Sequence, residues 1–196
     1  MLYQEEQEIG FWKDLYNSMG LEKFLYLRHG DLIGKTAYFP EVFDEQGQGL
    51  DYGCGMISMF EFSSIVNQMR ACDPLLPEYR EITGPVKSSR MVYSNNVDVI
   101  EPETFDFIVC VNVIDHTPDP QTIIDDLLKV LKPGGKLYFE VNFDPELFAP
   151  HHTLWTMDTV RQYFSADGPF ELVREATHVN PKFVEQTVYE AVYIKK

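Results

Sequence analysis

The stretch Phe105–Val141, FDFIVCVNVIDHTPDPQTIIDDLLKVLKPGGKLYFEV, reads as strand, loop, helix, turn and strand in one run. Phe105–Val111 is almost wholly apolar, the pattern of a parallel strand covered on both faces. Asp119 and Pro120 supply a helix N-cap and a proline at the first helical position. Ile123, Ile124, Leu127, Leu128 and Leu131 then recur on one face, with Asp125, Asp126 and Lys129 opposite. Pro133-Gly134-Gly135 stops the helix and turns the chain into a strand at Lys136–Val141. Two strands joined through a helix make a right-handed βαβ crossover, so the chain is read as α/β.

The alternation extends in both directions. Upstream, Leu50–Tyr52 ends a short strand, Gly53–Gly55 forms a turn, and Met56–Asn67 carries apolar residues at helical spacing. Gln68–Cys72 and Arg90–Ser94 read as further strands, separated by a stretch in which Pro74 and Pro77 bar regular structure. Downstream, a helix is expected near Met157–Phe164, then strands at Phe170–Thr177 and Thr187–Ile194. Only a loop joins these two, which makes them an antiparallel pair at a sheet edge. The expected fold is a doubly wound, Rossmann-like, mostly parallel sheet with an antiparallel C-terminal strand pair. Before it, Phe11–Leu25 reads as two short helices broken at Gly20, and Arg28–Gln48 as loop. Residues 1–49 are therefore an N-terminal helical and loop segment lying on or over the site, and 50–196 the main domain.

Composition narrows the function. The chain has 196 residues and a net charge of −15, which argues against nucleic acid as a partner, because phosphate binding rests on clustered Lys and Arg. Apolar residues make up 44%, enough for a sizeable core. Cys54, Cys72 and Cys110 are odd in number and fall at no CxxC spacing, as expected of small buried residues in a reducing compartment. The N-terminal MLYQEEQE is acidic where a signal peptide is basic, and no apolar run approaches the ~18 residues of a membrane span. A cytoplasmic protein without a membrane span is expected.

Doubly wound sheets bind ligands at the carboxyl ends of their strands, so the loops there are where chemistry is sought. The first is Leu50-Asp51-Tyr52-Gly53-Cys54-Gly55, whose glycines let backbone approach a ligand closely. Asp73 follows eighteen residues after Gly55, at the end of the next strand, where a carboxylate can accept both hydroxyls of a ribose. The third and fourth are the FDFIVCVNVIDHTPDP and LLKVLKPGGKLYFEV stretches.

In that order, these four elements resemble the class I S-adenosylmethionine-dependent methyltransferases. The resemblance is to the seven-stranded, small-molecule branch that includes the ubiquinone and menaquinone biosynthesis type. It implies S-adenosylmethionine as cofactor and transfer of its methyl group to a small-molecule acceptor at oxygen or nitrogen, by in-line displacement, leaving S-adenosylhomocysteine. It also implies the roles of individual residues. Gly53, Cys54 and Gly55 floor the methionine part, and Asp51 accepts hydrogen bonds from nearby backbone or from the cofactor's ammonium. Asp73 takes the ribose diol, Pro74 and Leu75 border the adenine, and Asn95 or Asn96 takes its amino group. Asn112 and Val113 lie beside the reacting methyl.

His116, preceded by Asp115, is the expected general base, since imidazole has a suitable pKa for removing an O–H proton. His151 and His152, beyond the fifth strand, are expected to face the acceptor, as is Trp12 from an N-terminal lid. No metal is expected, although the resemblance also allows Asp115 with His116 to hold one, as in some relatives. Two departures from the family pattern stand out: Ile57 replaces a glycine, and Asp115 replaces a glutamate. The first supports an alternative, a methyltransferase-like protein that binds cofactor or partner without turnover. A nicotinamide-dependent dehydrogenase is disfavoured, because the turn reads GCGMIS and not GxGxxG. Oligomeric state is not legible.

Overall fold

The residues form α1 (Leu2–Tyr38), β1 (Gln48–Tyr52), β2 (Gln68–Cys72), α2 (Leu76–Thr83), β3 (Met91–Ser94), β4 (Phe105–Val111), α3 (Pro120–Val130), β5 (Leu131–Phe143), α4 (Met157–Tyr163), β6 (Phe170–Val179) and β7 (Thr187–Lys195). The computed structural model describes residues 2–38, 42, 47–61, 68–85, 91–144, 151–179 and 186–196. The strands make a single sheet in the order β3-β2-β1-β4-β5-β7-β6. Pairing is parallel from β3 through β5 and antiparallel at β5–β7 and β6–β7. The seven-stranded, mostly parallel sheet and its antiparallel C-terminal pair are as expected.

Strand β4 shows why its sequence is apolar throughout. Ile108 and Cys110 face one core, with Ile123, Ile124, Leu127 and Val130 of α3 and Trp155, Val160 and Phe164 around α4. Phe107 and Val109 face the other, with Met59, Phe60, Met69 and Tyr138. Each fully buried Leu, Ile or Phe contributes roughly 1.5–3 kcal/mol. Helix α3 starts as read: the Asp119 side chain accepts from Gln121 N, and Pro120 occupies the first turn. At the far edge β6 is mostly exposed and carries Glu171, Arg174 and Glu175, charges that discourage pairing with another chain.

Register sets up the site. Tyr52 lies beside Cys72 and Cys110, Cys72 beside Ser94, and Cys110 beside Phe139. The segments after these residues therefore leave the sheet along one carboxyl edge, with the strand order reversing at β1 and β4.

Four expectations give way. Leu76–Thr83, in the stretch where Pro74 and Pro77 were expected to bar regular structure, is helix α2, because a proline in the first helical turn removes no intrahelical bond. Arg28–Tyr38, read as loop, continues α1. Gly30 and Gly34 each cost about 1 kcal/mol relative to alanine, which weakens a helix without ending it. The real break is Gly20, at φ 72 and ψ 167, where two helices meet. Met56–Glu61 is a series of turns and not the start of a helix, while 62–67 lie outside the described residues. The cause is Asp51, whose Oδ2 accepts from Ser58 Oγ at 2.5 Å and from Met59 N at 3.3 Å. These bonds compete with the helical pattern for the same groups. Finally, Pro133-Gly134-Gly135 lies inside β5 as an irregularity between the pairs Phe105–Leu131 and Phe107–Lys136, with Gly134 at φ 75. Among the described residues no helix is long and apolar enough to cross a membrane.

Candidate functional site at the carboxyl edge

The turn after β1 is built on two left-handed residues, Gly53 at φ 73 and Gly55 at φ 64. A Cβ on Gly53 would lie 2.2 Å from the Val113 side chain, so glycine is what lets the β1 and β4 loops close on each other. A Cβ on Gly55 would meet only the Trp12 ring, at 3.7 Å. Gly55 thus faces α1 and not the sheet core. Gly53 N and Cys54 N both donate to Cys72 O, and the Cys54 side chain is buried in the core.

Asp73 is 8% exposed and held by backbone alone: Oδ2 accepts from Gly55 N at 2.8 Å, and Oδ1 from Leu75 N at 2.9 Å. Burial pushes its carboxyl up, the two amides pull it back, and the net value is about 6. A carboxylate offers about four acceptor positions, so these bonds leave room for two more. Pro74 is exposed and Leu75 half-buried. Asn95 and Asn96 are exposed after β3; Asn96 Oδ1 is already engaged by Asp98 N at 2.7 Å, whereas Asn95 makes no such turn. The Asp51 carboxylate accepts from Ser58 Oγ and Met59 N through Oδ2.

The loop after β4 is tighter. Asn112 takes φ 51, a conformation that asparagine tolerates better than most residues, and its N–H donates to Glu140 O. Its Oδ1 is buried without a hydrogen-bond partner among the described residues. Ile114–His116 then forms a short 3-10 turn. Asp115 is 1% exposed, and neither carboxylate oxygen accepts a hydrogen bond among the described residues. Its backbone carbonyl accepts from His152 N at 2.7 Å and Thr153 N at 3.3 Å, which anchors the segment after β5 on the β4 loop.

That anchoring brings His151 to the site: its Nδ1 stands 2.8 Å from Asp144 Oδ2 and 3.5 Å from Asp115 Oδ2, with its ring 4.6 Å from that of His116. His152 contributes its backbone to the anchor. Its imidazole is held below the usual histidine range by partial burial and neighbouring positive charge.

Helix α1 completes the enclosure. Glu8 Oε2 pairs with His116 Nδ1 at 3.0 Å, and Trp12 Nε1 donates to Glu8 Oε1 at 2.6 Å. Trp12, Tyr16 and Phe24 pack with Met56, Ile57, Leu75 and Tyr79. Ile57, at 1% exposure, is therefore a packing residue under α1. Burial alone would lower the His116 pKa; the Glu8 carboxylate beside it, with Asp115 and Asp73, raises it to about 9. Burial likewise opposes ionisation of Glu8, but His116 outweighs it and holds the carboxyl below its usual range. Asp115 is pushed up by burial, against the charges of His116 and His151. Glu8 and Asp144 were not found from sequence. Glu8 had one faint signal, an acid one helical turn before an aromatic.

The backbone-held Asp73 fits an adenosyl cofactor, because its carboxylate retains acceptor positions for a diol. Sheet order and carboxyl-edge loops together define the α/β sheet of the methyltransferase kind. A family model described as a methyltransferase domain matches residues 24–180, and the chain belongs to that family, whose cofactor is S-adenosylmethionine. Among curated relatives, the ubiquinone biosynthesis O-methyltransferase of Vibrio atlanticus is 31% identical over 86 residues, covering 42% of this chain and 31% of that one. The chain thus spans under a third of the length of that relative. Among solved structures, the N-methyltransferase NodS of Bradyrhizobium japonicum shares the fold, with TM-score 0.64, 19% identity, and 88% and 97% of the two chains covered. A second NodS structure, in complex with S-adenosylhomocysteine, superposes with TM-score 0.59 at 18% identity, covering 87% and 86%.

Proposed function

We propose that the chain binds S-adenosylmethionine at the carboxyl ends of β1, β2 and β4 and transfers its methyl group to a small-molecule acceptor at oxygen or nitrogen. The observation that carries this reading is the 2.8 Å hydrogen bond from Gly55 N to Asp73, which joins the glycine turn to the ribose carboxylate in one preformed cradle. In this reading Gly53–Gly55 lie under the methionine part, and Asp73 accepts the ribose hydroxyls. Leu75 packs against adenine, and Asn95, whose side chain is uncommitted to the turn, serves its amino group better than Asn96. Asn112, with its unpartnered Oδ1, and Val113 border the transferred group.

The cofactor supplies an electrophilic methyl on a sulfonium, so the chain's work is to orient the acceptor, exclude water and take a proton from it. Trp12, His151 and His152 line the acceptor side, and His116 with Asp115 takes the proton. At a pKa of about 9, His116 is charged at neutral pH while Glu8 is paired with it. Base function then requires α1 to withdraw Glu8. The oxygen target draws support from the O-methyltransferase relative and the nitrogen target from NodS. The net charge of −15 supports a small acceptor over nucleic acid, and three buried cysteines, none in a disulfide among the described residues, suit a reducing compartment such as the cytoplasm.

Incubating the chain with methyl-labelled S-adenosylmethionine and pooled small hydroxyl and amine metabolites tests the reading. Label on a small product supports it. Label only on protein or RNA, or no label from a chain that binds cofactor, contradicts it. The second outcome is the one expected of a non-catalytic cofactor-binding protein, a reading favoured by the Trp12 ring lying over Gly55.

A further inference from the structure

We propose that residues 2–19, the part of α1 before Gly20, are an autoinhibitory gate that holds Trp12 on the seat of the cofactor's methionine part and swings about Gly20 to admit it. This gate, which rests on the cofactor reading above, makes the chain's own helix a competitor for that seat.

The Trp12 ring lies 3.7 and 3.9 Å from the place that a Cβ on Gly55 would take. With a bond of about 1.5 Å behind that Cβ, the ring is at most about 5 Å from Gly55 Cα. A ligand atom between the two would need roughly 3.5–4.0 Å from each. Nothing fits there while Trp12 stays. The same helix places Glu8 Oε2 3.0 Å from His116 Nδ1, and Trp12 Nε1 donates to the other oxygen of that carboxylate at 2.6 Å. Two hydrogen-bonded side chains, one turn apart on α1, thus cover the cofactor seat and the expected base together.

Gly20 supplies the hinge. It takes φ 72 and ψ 167, a region that essentially only glycine occupies, and a Cβ there would meet nothing within 4 Å. The backbone conformation, and not a crowded neighbour, is what calls for glycine. The two sides of this break are packed differently. Beyond it, Phe24 is fully buried with Met56, Ile57 and Tyr79 and fastens the second helix to the domain. Before it, Ile9, Trp12, Leu15, Tyr16 and Met19 are only partly buried, and Phe11 is 58% exposed. Segments with few buried apolar contacts open at the lowest cost, so the movable side is the one that carries Trp12 and Glu8. Displaced from Gly55, Trp12 comes to the acceptor side, and the same movement releases His116 from Glu8.

A ligand that binds only the open arrangement is weakened in proportion to the fraction of chains that are closed, so loosening the gate tightens binding. Side chains that merely supported the pocket would do the reverse. The full chain is titrated by calorimetry with S-adenosylhomocysteine and with adenosine, which lacks the amino-acid part. Trp12→Ala and Glu8→Gln should each bind S-adenosylhomocysteine at least threefold more tightly than the native chain, with adenosine affinity changed less than twofold. Gly20→Ala, which favours one continuous helix, should do the same from outside the site, and it carries the test should Trp12→Ala fail to fold. In the native chain S-adenosylhomocysteine should increase acrylamide quenching of tryptophan fluorescence, because Trp155 is 1% exposed and Trp12 is the ring that moves; adenosine should not. Binding weakened or unchanged in the folded variants, or tightened equally for adenosine, overturns the gate and leaves the cofactor reading standing. No binding of S-adenosylhomocysteine by the folded native chain overturns both.

Discussion

Asp73 and Asp115 are both carboxylates buried at the carboxyl edge of one sheet, yet the chain treats them in opposite ways. Asp73, at the end of β2, is held by two backbone amides at 2.8 and 2.9 Å. Asp115, after β4, receives no hydrogen bond among the described residues and faces two imidazoles from 3.5 and 3.9 Å. The first is preorganised as a hydrogen-bond acceptor with room for more donors. The second is a buried carboxyl that desolvation pushes toward its neutral form, against the pull of two imidazoles. One edge thus carries a backbone-held carboxyl and a histidine-facing one, separated by the β1 strand.

The largest expected difference is in cofactor affinity. Asp73→Ala should weaken S-adenosylhomocysteine binding at least a hundredfold, because two hydrogen bonds to a charged group are each worth about 1.5–3 kcal/mol. Asp115→Asn should change it less than tenfold. Equal losses in calorimetric titrations would erase the distinction between the two carboxyls.

Next in size is the pH dependence of stability. The folded pKa of Asp73, about 6, lies above its ordinary 3.8, so the native state holds the proton more tightly than the unfolded chain. Stability should therefore fall as pH rises from about 4 to 6, and burying the ionised carboxylate costs on the order of 3 kcal/mol at neutral pH. Urea unfolding at pH 4.5 and 7 should show this slope flattened in Asp73→Asn. A variant as steep as the native chain would show that the cost lies elsewhere.

The smallest effect concerns the lid. Glu8→Gln removes the charged partner of His116, an interaction on the order of 1 kcal/mol for a partly exposed pair. Proteolysis within α1 should become severalfold faster, while the unfolding midpoint of the sheet moves by little. A large fall in that midpoint would mean that α1 is integral to the core.

The sequence shows the β4–α3–β5 unit clearly because everything that determines it is local. Asp119 caps, Pro120 starts the helix, Leu127 faces the core, and β4 needs apolar residues on both sides. Asp73 was legible for the same reason, being fixed by its place after a strand. What was hidden depends on single long-range contacts with no periodic trace. Glu8 meets His116 across more than half the chain, and His151 reaches Asp115 only through backbone bonds from His152 and Thr153. Met56–Glu61 misled because its apolar spacing is helical, while one carboxylate, Asp51, ties up Ser58 and Met59.

The most direct check is a calorimetric titration of the purified full chain with S-adenosylhomocysteine at neutral pH. One equivalent bound in a saturable transition is the expected result. A folded chain that gives no heat and no shift in melting temperature would contradict the cradle formed by Gly53, Gly55 and Asp73, and with it the methyl-transfer reading.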